Sequence, residues 1–257
     1  MYIQNIDLVY FSPCGQGTQL AHYLSKQLPD FQTTLYDITL PYNRKPINFT
    51  GELIVFIFPT YAQDLPLLLK SFIQALPLQK KPLFLINLYG NIHPGKALTT
   101  AIRLFRLKRM LPIGAVCLVS SHSYNLLGLH IATNEPCHTS MGDVLQHLLM
   151  CMNKLKKAPD YTSCVIKVPA QSKNLGAYLP QPLLASMSIS RPYLHKKLCG
   201  SCHKCLLICP TGHTTCIRCM ACVKYCPYKA LESHFLTPFP YYYLLLKGKV
   251  LNSNKYY

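Results

Sequence analysis

Four short apolar runs recur at wide spacing along the chain, at residues 8–11, 53–58, 83–88 and 115–119, with a weaker fifth at 33–38. Uninterrupted apolar runs, as opposed to alternating ones, suit strands covered on both faces, the environment of a parallel sheet. Between them the spacing turns helical. Leu20, Leu24 and Leu28 mark one helix; Leu68, Phe72 and Leu76 mark a second, with Asp64 placed to cap it and Pro66 in its first turn. A third carries Leu98, Ala101, Ile102 and Phe105 on one face, beside a basic stripe of Arg103, Arg106 and Arg109, and a fourth lies at about 143–156. Strands alternating with helices predict a doubly wound α/β domain over residues 1–168, built on a parallel five-stranded sheet. Ligands of such sheets sit beyond the carboxyl ends of the strands, which directs attention to the loops after Phe11, Phe58, Leu88 and Val119.

Residues 169–198 hold four Pro and several Ser without periodicity and read as a linker. Eight of the thirteen cysteines then fall within residues 199–226. Cys199, Cys202, Cys205 and Cys209 precede Pro210; Cys216, Cys219, Cys222 and Cys226 precede Pro227. Each set reads C-x2-C-x2-C-x3-C-P, the signature of two 4Fe–4S clusters, in which the fourth cysteine of each run crosses to the other cluster. The expected ligand sets are Cys199, Cys202, Cys205 and Cys226 for one cluster, and Cys216, Cys219, Cys222 and Cys209 for the other. Zinc is the competing metal, but it favours CxxC pairs around a longer spacer. With eight thiolates at hand, His195, His203 and His213 are bystanders. Residues 199–230 thus read as a small ferredoxin-like α+β iron–sulfur domain. Residues 231–257 form an aromatic and basic tail, whose Phe235, Phe239 and Tyr241 to Tyr243 are expected to screen the clusters. Only six residues separate Cys209 from Cys216, shorter than the stretch that supplies part of a hairpin in ferredoxins. Cys117, Cys137, Cys151 and Cys164 have no metal spacing and read as ordinary thiols.

The first strand runs into Phe11-Ser12-Pro13-Cys14-Gly15-Gln16-Gly17-Thr18 and directly into a helix. A Gly-rich, hydroxyl-bearing turn at a helix N-terminus offers free N–H groups to a phosphate. This turn resembles the phosphate loop of flavodoxins. The whole chain is similar to the flavodoxin–ferredoxin fusion proteins of anaerobes, through this loop, the two cysteine runs, Phe58-Pro59-Thr60-Tyr61 with Pro66 after it, and Leu88-Tyr89-Gly90-Asn91 with Pro94-Gly95-Lys96-Ala97 opening a helix. The resemblance implies FMN as a cofactor. Ser12, Gly15 and Thr18, with the backbone of Cys14, Gln16 and Gly17, would hold its phosphate. Pro59, Thr60, Tyr61, Ala62, Tyr89, Gly90 and Asn91 would flank its ring, Tyr61 and Tyr89 by stacking. Two positions depart from the family: Cys14 stands where Thr is usual, and Gly17 takes the place of the final Thr. Cys14 at a helix N-terminus reads either as a small residue tolerated in the turn or as a reactive thiol with a stabilised thiolate.

Composition narrows the function. The chain has 257 residues and opens without the basic and then apolar start of a signal peptide, so reduced or metal-bound thiols and a cytoplasmic location are expected in place of a disulfide scaffold. The uncharged residues 110–134 are interrupted by His, Ser and Asn and predict a buried strand followed by a loop, with no transmembrane segment. Lys+Arg is 26 against Asp+Glu 9, a formal charge of +17, and residues 181–257 hold ten Lys+Arg and only Glu232. Charge alone would suit nucleic acid, but beside two clusters and a flavin it predicts docking to an acidic redox protein, through this region and the Arg103–Arg109 stripe. The expected function is electron transfer between FMN, two 4Fe–4S clusters and an external partner. The alternative is a flavin-dependent reductase of a small-molecule substrate, with His93, His122 and Tyr124 as candidate proton donors. No separate nicotinamide fingerprint is present.

Overall fold

The computed structural model describes residues 2–129, 131, 138–169, 180–247 and 253–257. The predicted alternation is realised as β1 (Asn5–Tyr10), α1 (Gln16–Gln27), β2 (Gln32–Asp37), β3 (Leu53–Pro59), α2 (Leu67–Ala75), β4 (Lys81–Tyr89), α3 (Ala97–Leu107), β5 (Met110–Val119) and α4 (His138–Lys157). The strands lie in the order β2-β1-β3-β4-β5, all parallel. This is the flavodoxin-like doubly wound order, with its switch point between β1 and β3.

The strands read as unbroken apolar runs because both faces are covered. Val9, Ile54, Phe56 and Leu85 point to one face, where they pack under Phe72 and Ile73 of α2 and Ile102 and Phe105 of α3. Their neighbours Leu8, Val55, Ile57 and Ile86 point to the other, under Leu20 and Leu24 of α1 and Val144 and Leu148 of α4. Phe56 anchors the first layer, with its ring edge-on to Phe105 at 4.9 Å. Asp64 does not cap α2, whose N-cap is Pro66 and has no side-chain cap bond. It is buried instead, bonded to Lys70 Nζ at 2.5 Å and accepting from Thr100 Oγ1 at 2.8 Å, which ties the loop after β3 to α2 and α3.

The sheet has one strand more than the five expected. β8 (Lys255–Tyr256), from the C-terminal tail, pairs antiparallel with β5, Val116 opposite Tyr256 and Cys117 opposite Lys255. An edge strand exposes unpaired N–H and C=O groups. Here Ala115 and Tyr257 exchange both backbone bonds, at 2.9 and 2.8 Å, and Val119 N–H donates to Asn254 Oδ1 at 2.9 Å. Deleting residues 253–257 removes these bonds and is expected to lower stability by about 2 kcal/mol, read as a fall in the thermal midpoint. An unchanged midpoint would show that water satisfies this edge equally well.

Part of the predicted linker is helical: α5 (Gln181–Ser188) begins with Pro182 in its first turn, and residues 170–179 lie outside the described residues. The cysteine-rich stretch is closed by a two-stranded antiparallel clasp, β6 (Tyr193–Leu194) against β7 (Leu231–Glu232), with His195 N–H donating to Ala230 O at 2.8 Å. Inside it lie two short helices, α6 (Lys204–Leu207) and α7 (Ala221–Tyr225). The short spacer 210–215 forms turns and bends and contributes no strand. The tail then forms α8 (Pro238–Lys247) before reaching the sheet edge. No helix among the described residues is long and apolar enough to cross a membrane.

Candidate functional site

A cavity of about 660 Å³ lies where the carboxyl ends of β1, β3, β4 and β5 face the cysteine-rich segment. Its floor includes Ser12, Cys14, Gln16 and Gly17 of the first loop, Pro59, Thr60, Tyr61 and Ala62 after β3, Gly90 after β4, and His122 and Tyr124 after β5.

The first loop takes its shape from Gly15, which precedes α1 at φ 88°. A side chain there would be strained, and its Cβ would lie 2.7 Å from the Tyr225 hydroxyl. Ser12 Oγ accepts from Thr18 N–H at 3.1 Å, which satisfies one first-turn amide. Gln16 and Gly17 open α1, so their N–H groups have no preceding turn to bond to. The cysteine-rich segment closes over this loop: the Cys14 thiol donates to Cys219 O at 3.0 Å, and Lys224 Nζ donates to Cys14 O at 2.7 Å. Arg44 strengthens the junction by donating to Thr39 O at 2.5 Å and also to Pro210 O.

Tyr61 and Asp64 exchange backbone bonds at 3.0 Å, leaving Ala62 and Gln63 at φ 43° and 61°. Left-handed backbone at consecutive non-glycine residues is costly and persists where surrounding contacts impose it. Lys96 N–H donates to Gln63 O at 2.8 Å, and Gln181 Nε2 from α5 donates to Tyr61 O. Gln63 Oε1, on the cavity wall, is buried without a hydrogen-bond partner, an acceptor available to a bound molecule.

Four of the expected flavin-site residues do not line the cavity. Gly15 sits behind Tyr225. Thr18 takes part through its backbone bond to Ser12. Asn91, at φ 56°, is fully buried. Tyr89, expected to stack on the ring, points into the core, where its hydroxyl donates to Ser253 O at 3.3 Å. A strand's final residue faces either side of the sheet according to register, and Tyr89 follows Leu85 onto the α2/α3 face.

His93, His122 and Tyr124 do line the cavity. Burial pushes the imidazole of His122 down to about 4 and the hydroxyl of Tyr124 up to about 12. His122 Nδ1 accepts from Tyr124 N–H at 3.1 Å and His93 Nδ1 from Gly95 N–H at 2.8 Å, so each neutral ring carries its proton on Nε2. A histidine neutral when folded contributes stability that is complete above pH 6.5 and is lost as pH falls towards 4. Acidification from pH 7.5 to 5.5 is therefore expected to lower the thermal midpoint more in the native protein than in His122→Asn. Parallel declines would assign the loss elsewhere.

Sequence reasoning missed two walls. α5 contributes Leu184, Ala185 and Met187, and α8 contributes Pro240, Tyr243 and Leu244. Both lie in stretches whose composition reads as linker and tail, and nothing local points them at the cavity. The tail aromatic Phe235 packs edge-on to Tyr124 at 6.1 Å. The side chains of Phe239 and Tyr241 lie outside the description.

Cys216 and Arg218 also line the cavity. The Cys222 thiol is pushed up to about 11 by burial first, with Cys216, Cys209 and Cys205 adding to the effect. Cys219 is raised by burial, then by Cys14, Cys222 and Cys216. These mutual effects place Cys216, Cys219, Cys222, Cys209 and also Cys205 in one neighbourhood, which draws on both runs of cysteines without separating the two expected ligand sets. Among the described residues, no three His, Cys, Asp or Glu side chains converge as a single metal ion requires. A cubane, with iron and sulfide between its thiolates, holds them further apart. Burial also pushes Cys14 up to about 11 against the opposing charge of Lys224, so of its two readings the geometry favours the small turn residue over the reactive thiolate. Cys117 is buried and hydrogen-bonded by Asn87, and Cys151 is buried, as ordinary core thiols are; Cys137 lies outside the described residues.

Residues 213–232 match the model of the 4Fe-4S binding domain family. No curated protein matches the chain. Among solved structures it is similar to a flavodoxin from the domain Archaea, at 13% identity over 60% of this chain and 99% of that one, TM-score 0.43. A Streptococcus pneumonia flavodoxin aligns at 12% identity over 58% and 99%, TM-score 0.42. Rubredoxin oxygen:oxidoreductase from Desulfovibrio gigas aligns at 11% identity over 60% of this chain and 36% of its own, TM-score 0.44. Strand order, independently of these alignments, makes the larger part of the chain a flavodoxin-like α/β fold, and it is followed by a segment that matches the 4Fe-4S binding domain.

Proposed function

We propose that the protein is an electron-transfer iron–sulfur flavoprotein, with FMN in the cavity and two 4Fe–4S clusters in residues 199–230. One observation carries this reading: Cys216, an expected cluster ligand, lines the same cavity as the phosphate-loop residues Ser12, Gln16 and Gly17. A bound flavin supplies both one-electron and two-electron chemistry, which would couple it to one-electron clusters.

The residues present fit a phosphorylated aromatic ring. Ser12, Gln16 and Gly17 line the cavity at the start of α1, so the first-turn amides and the Ser12 hydroxyl are the groups that would hold a phosphate, with the helix dipole behind them. Tyr61, Ala62 and Gly90 offer an apolar slot, while Gln63 Oε1 waits for a donor. Anaerobically prepared protein is expected to hold about eight iron atoms and one FMN per chain. Bound zinc with no chromophore would overturn the reading.

A second reading, a flavin-dependent reductase, is favoured by the two neutral imidazoles and Tyr124 in the cavity together with its apolar wall of α5 and α8. Each Nε2–H would donate a hydrogen bond to a bound substrate. Turnover of a small-molecule acceptor by the cluster-loaded protein, reduced without any partner protein, would select it over simple electron transfer.

A further inference from the structure

The two expected cluster sites differ in their surroundings. Cys219 is buried and Cys216 lines the cavity. The other set opens outward: within residues 196–207 every residue is exposed except Cys199 and Cys205, which are half-buried. Cys202 itself is exposed. This run presents Leu198 at 56%, Leu206 at 51% and Leu207 at 72% exposure. Beside it the Tyr228 ring, half exposed, lies against Gly200, where an added Cβ would meet it at 2.1 Å.

Apolar side chains massed over a short surface loop mark an interaction site. Lys196, Lys197, Lys204 and Lys229 are all exposed on the same segments. Their charge is not offset by the surrounding sequence, because Glu232, the sole acid of residues 181–257, is held by His195 Nε2 and the Tyr193 hydroxyl, each at 2.8 Å. The arginine stripe is less suited to docking than its sequence implies, since Arg109 lies beyond the end of α3 and Arg106 is half-buried and donates to Ile166 O at 2.8 Å.

Building on the cluster reading above, we propose that residues 196–207 with Tyr228 and Lys229 form the docking face for an acidic one-electron carrier protein, which exchanges electrons with the cluster of Cys199, Cys202, Cys205 and Cys226. Each exchange would move one electron: the reduced carrier is oxidised by one, the outer cluster is reduced by one, and the electron would continue through the cluster that includes Cys216 to the flavin proposed for the cavity, which is reduced by one. Lysines steer the encounter, and the leucines and Tyr228 supply a desolvated centre.

The test compares anaerobic reduction of the holoprotein by two donors, a chemically reduced acidic bacterial ferredoxin and the methyl viologen radical, which needs no docking face. Lys196→Glu/Lys197→Glu/Lys204→Glu is expected to slow reduction by the ferredoxin at least about tenfold at low salt and to flatten its salt dependence, with the viologen rate unchanged. Leu207→Ser, which leaves the charge alone, should slow the ferredoxin reaction without altering that dependence; it decides the matter if the charge variant loses iron. Native rates with the ferredoxin in iron-replete variants would overturn the proposal, as would an equal slowing by Arg103→Glu/Arg109→Glu. Native protein that holds no iron would instead defeat the cluster reading.

Discussion

In Cys216→Ala protein, the proposed set of two clusters and one flavin implies that iron falls from about eight to about four atoms per chain and that reduction of the outer cluster no longer bleaches flavin absorbance. The expectation rests on position. Cys216 lies near Cys222 and the buried Cys219 and also lines the cavity, so on the proposed ligand assignment its loss would remove the inner step while Cys199, Cys202, Cys205 and Cys226 remain. Cys14→Ala is the matched control, since it deletes a half-buried thiol whose bond is to a backbone carbonyl and should keep full iron. Iron measurement and flavin bleaching in the two variants check both halves. Retention of eight iron atoms by Cys216→Ala would remove Cys216 from the ligand set.

Gly95→Ala is expected to destabilise the protein by about 2–4 kcal/mol and to release any bound flavin. Gly95 has φ 61°, and a Cβ there would lie 2.0 Å from Gln63 O, a backbone atom fixed by the Lys96 amide. Relief requires moving the Tyr61–Asp64 turn that forms the cavity wall. The thermal midpoint should drop by roughly 4–16 °C. A midpoint within a degree of the native protein's would mean that this turn yields freely, and the strain argument for Ala62 and Gln63 would fall with it.

Much of the fold is legible in the chain because it depends on local periodicity. The apolar runs at 53–58 and 83–88 form β3 and β4, and Leu98, Ala101, Ile102 and Phe105 form the buried face of α3. The phosphate-loop reading of residues 12–18 and the aromatic at Tyr61 are likewise local signals, and the structure places Ser12, Cys14, Gln16, Gly17 and Tyr61 on one cavity. Tyr89 escapes such reading because its facing depends on strand register, which no single position reveals. Asp64 escapes it because its partners, Lys70 and Thr100, lie on separate helices.

Consecutive positions were enough to set which segments become strands and helices and which eight cysteines carry the metal signature, since periods of 2.0 and 3.6 residues and a three-residue thiol spacing are written directly into the chain. Folding in three dimensions was needed to bring the cysteine-rich segment back over the first loop, to wall the cavity with α5 and α8, and to complete the sheet edge with β8 from the tail. Those outcomes rest on contacts between residues far apart in the chain, such as Cys14 with Cys219 and Ala115 with Tyr257. They form because orphaned backbone groups and apolar surfaces must find partners wherever the fold brings them near.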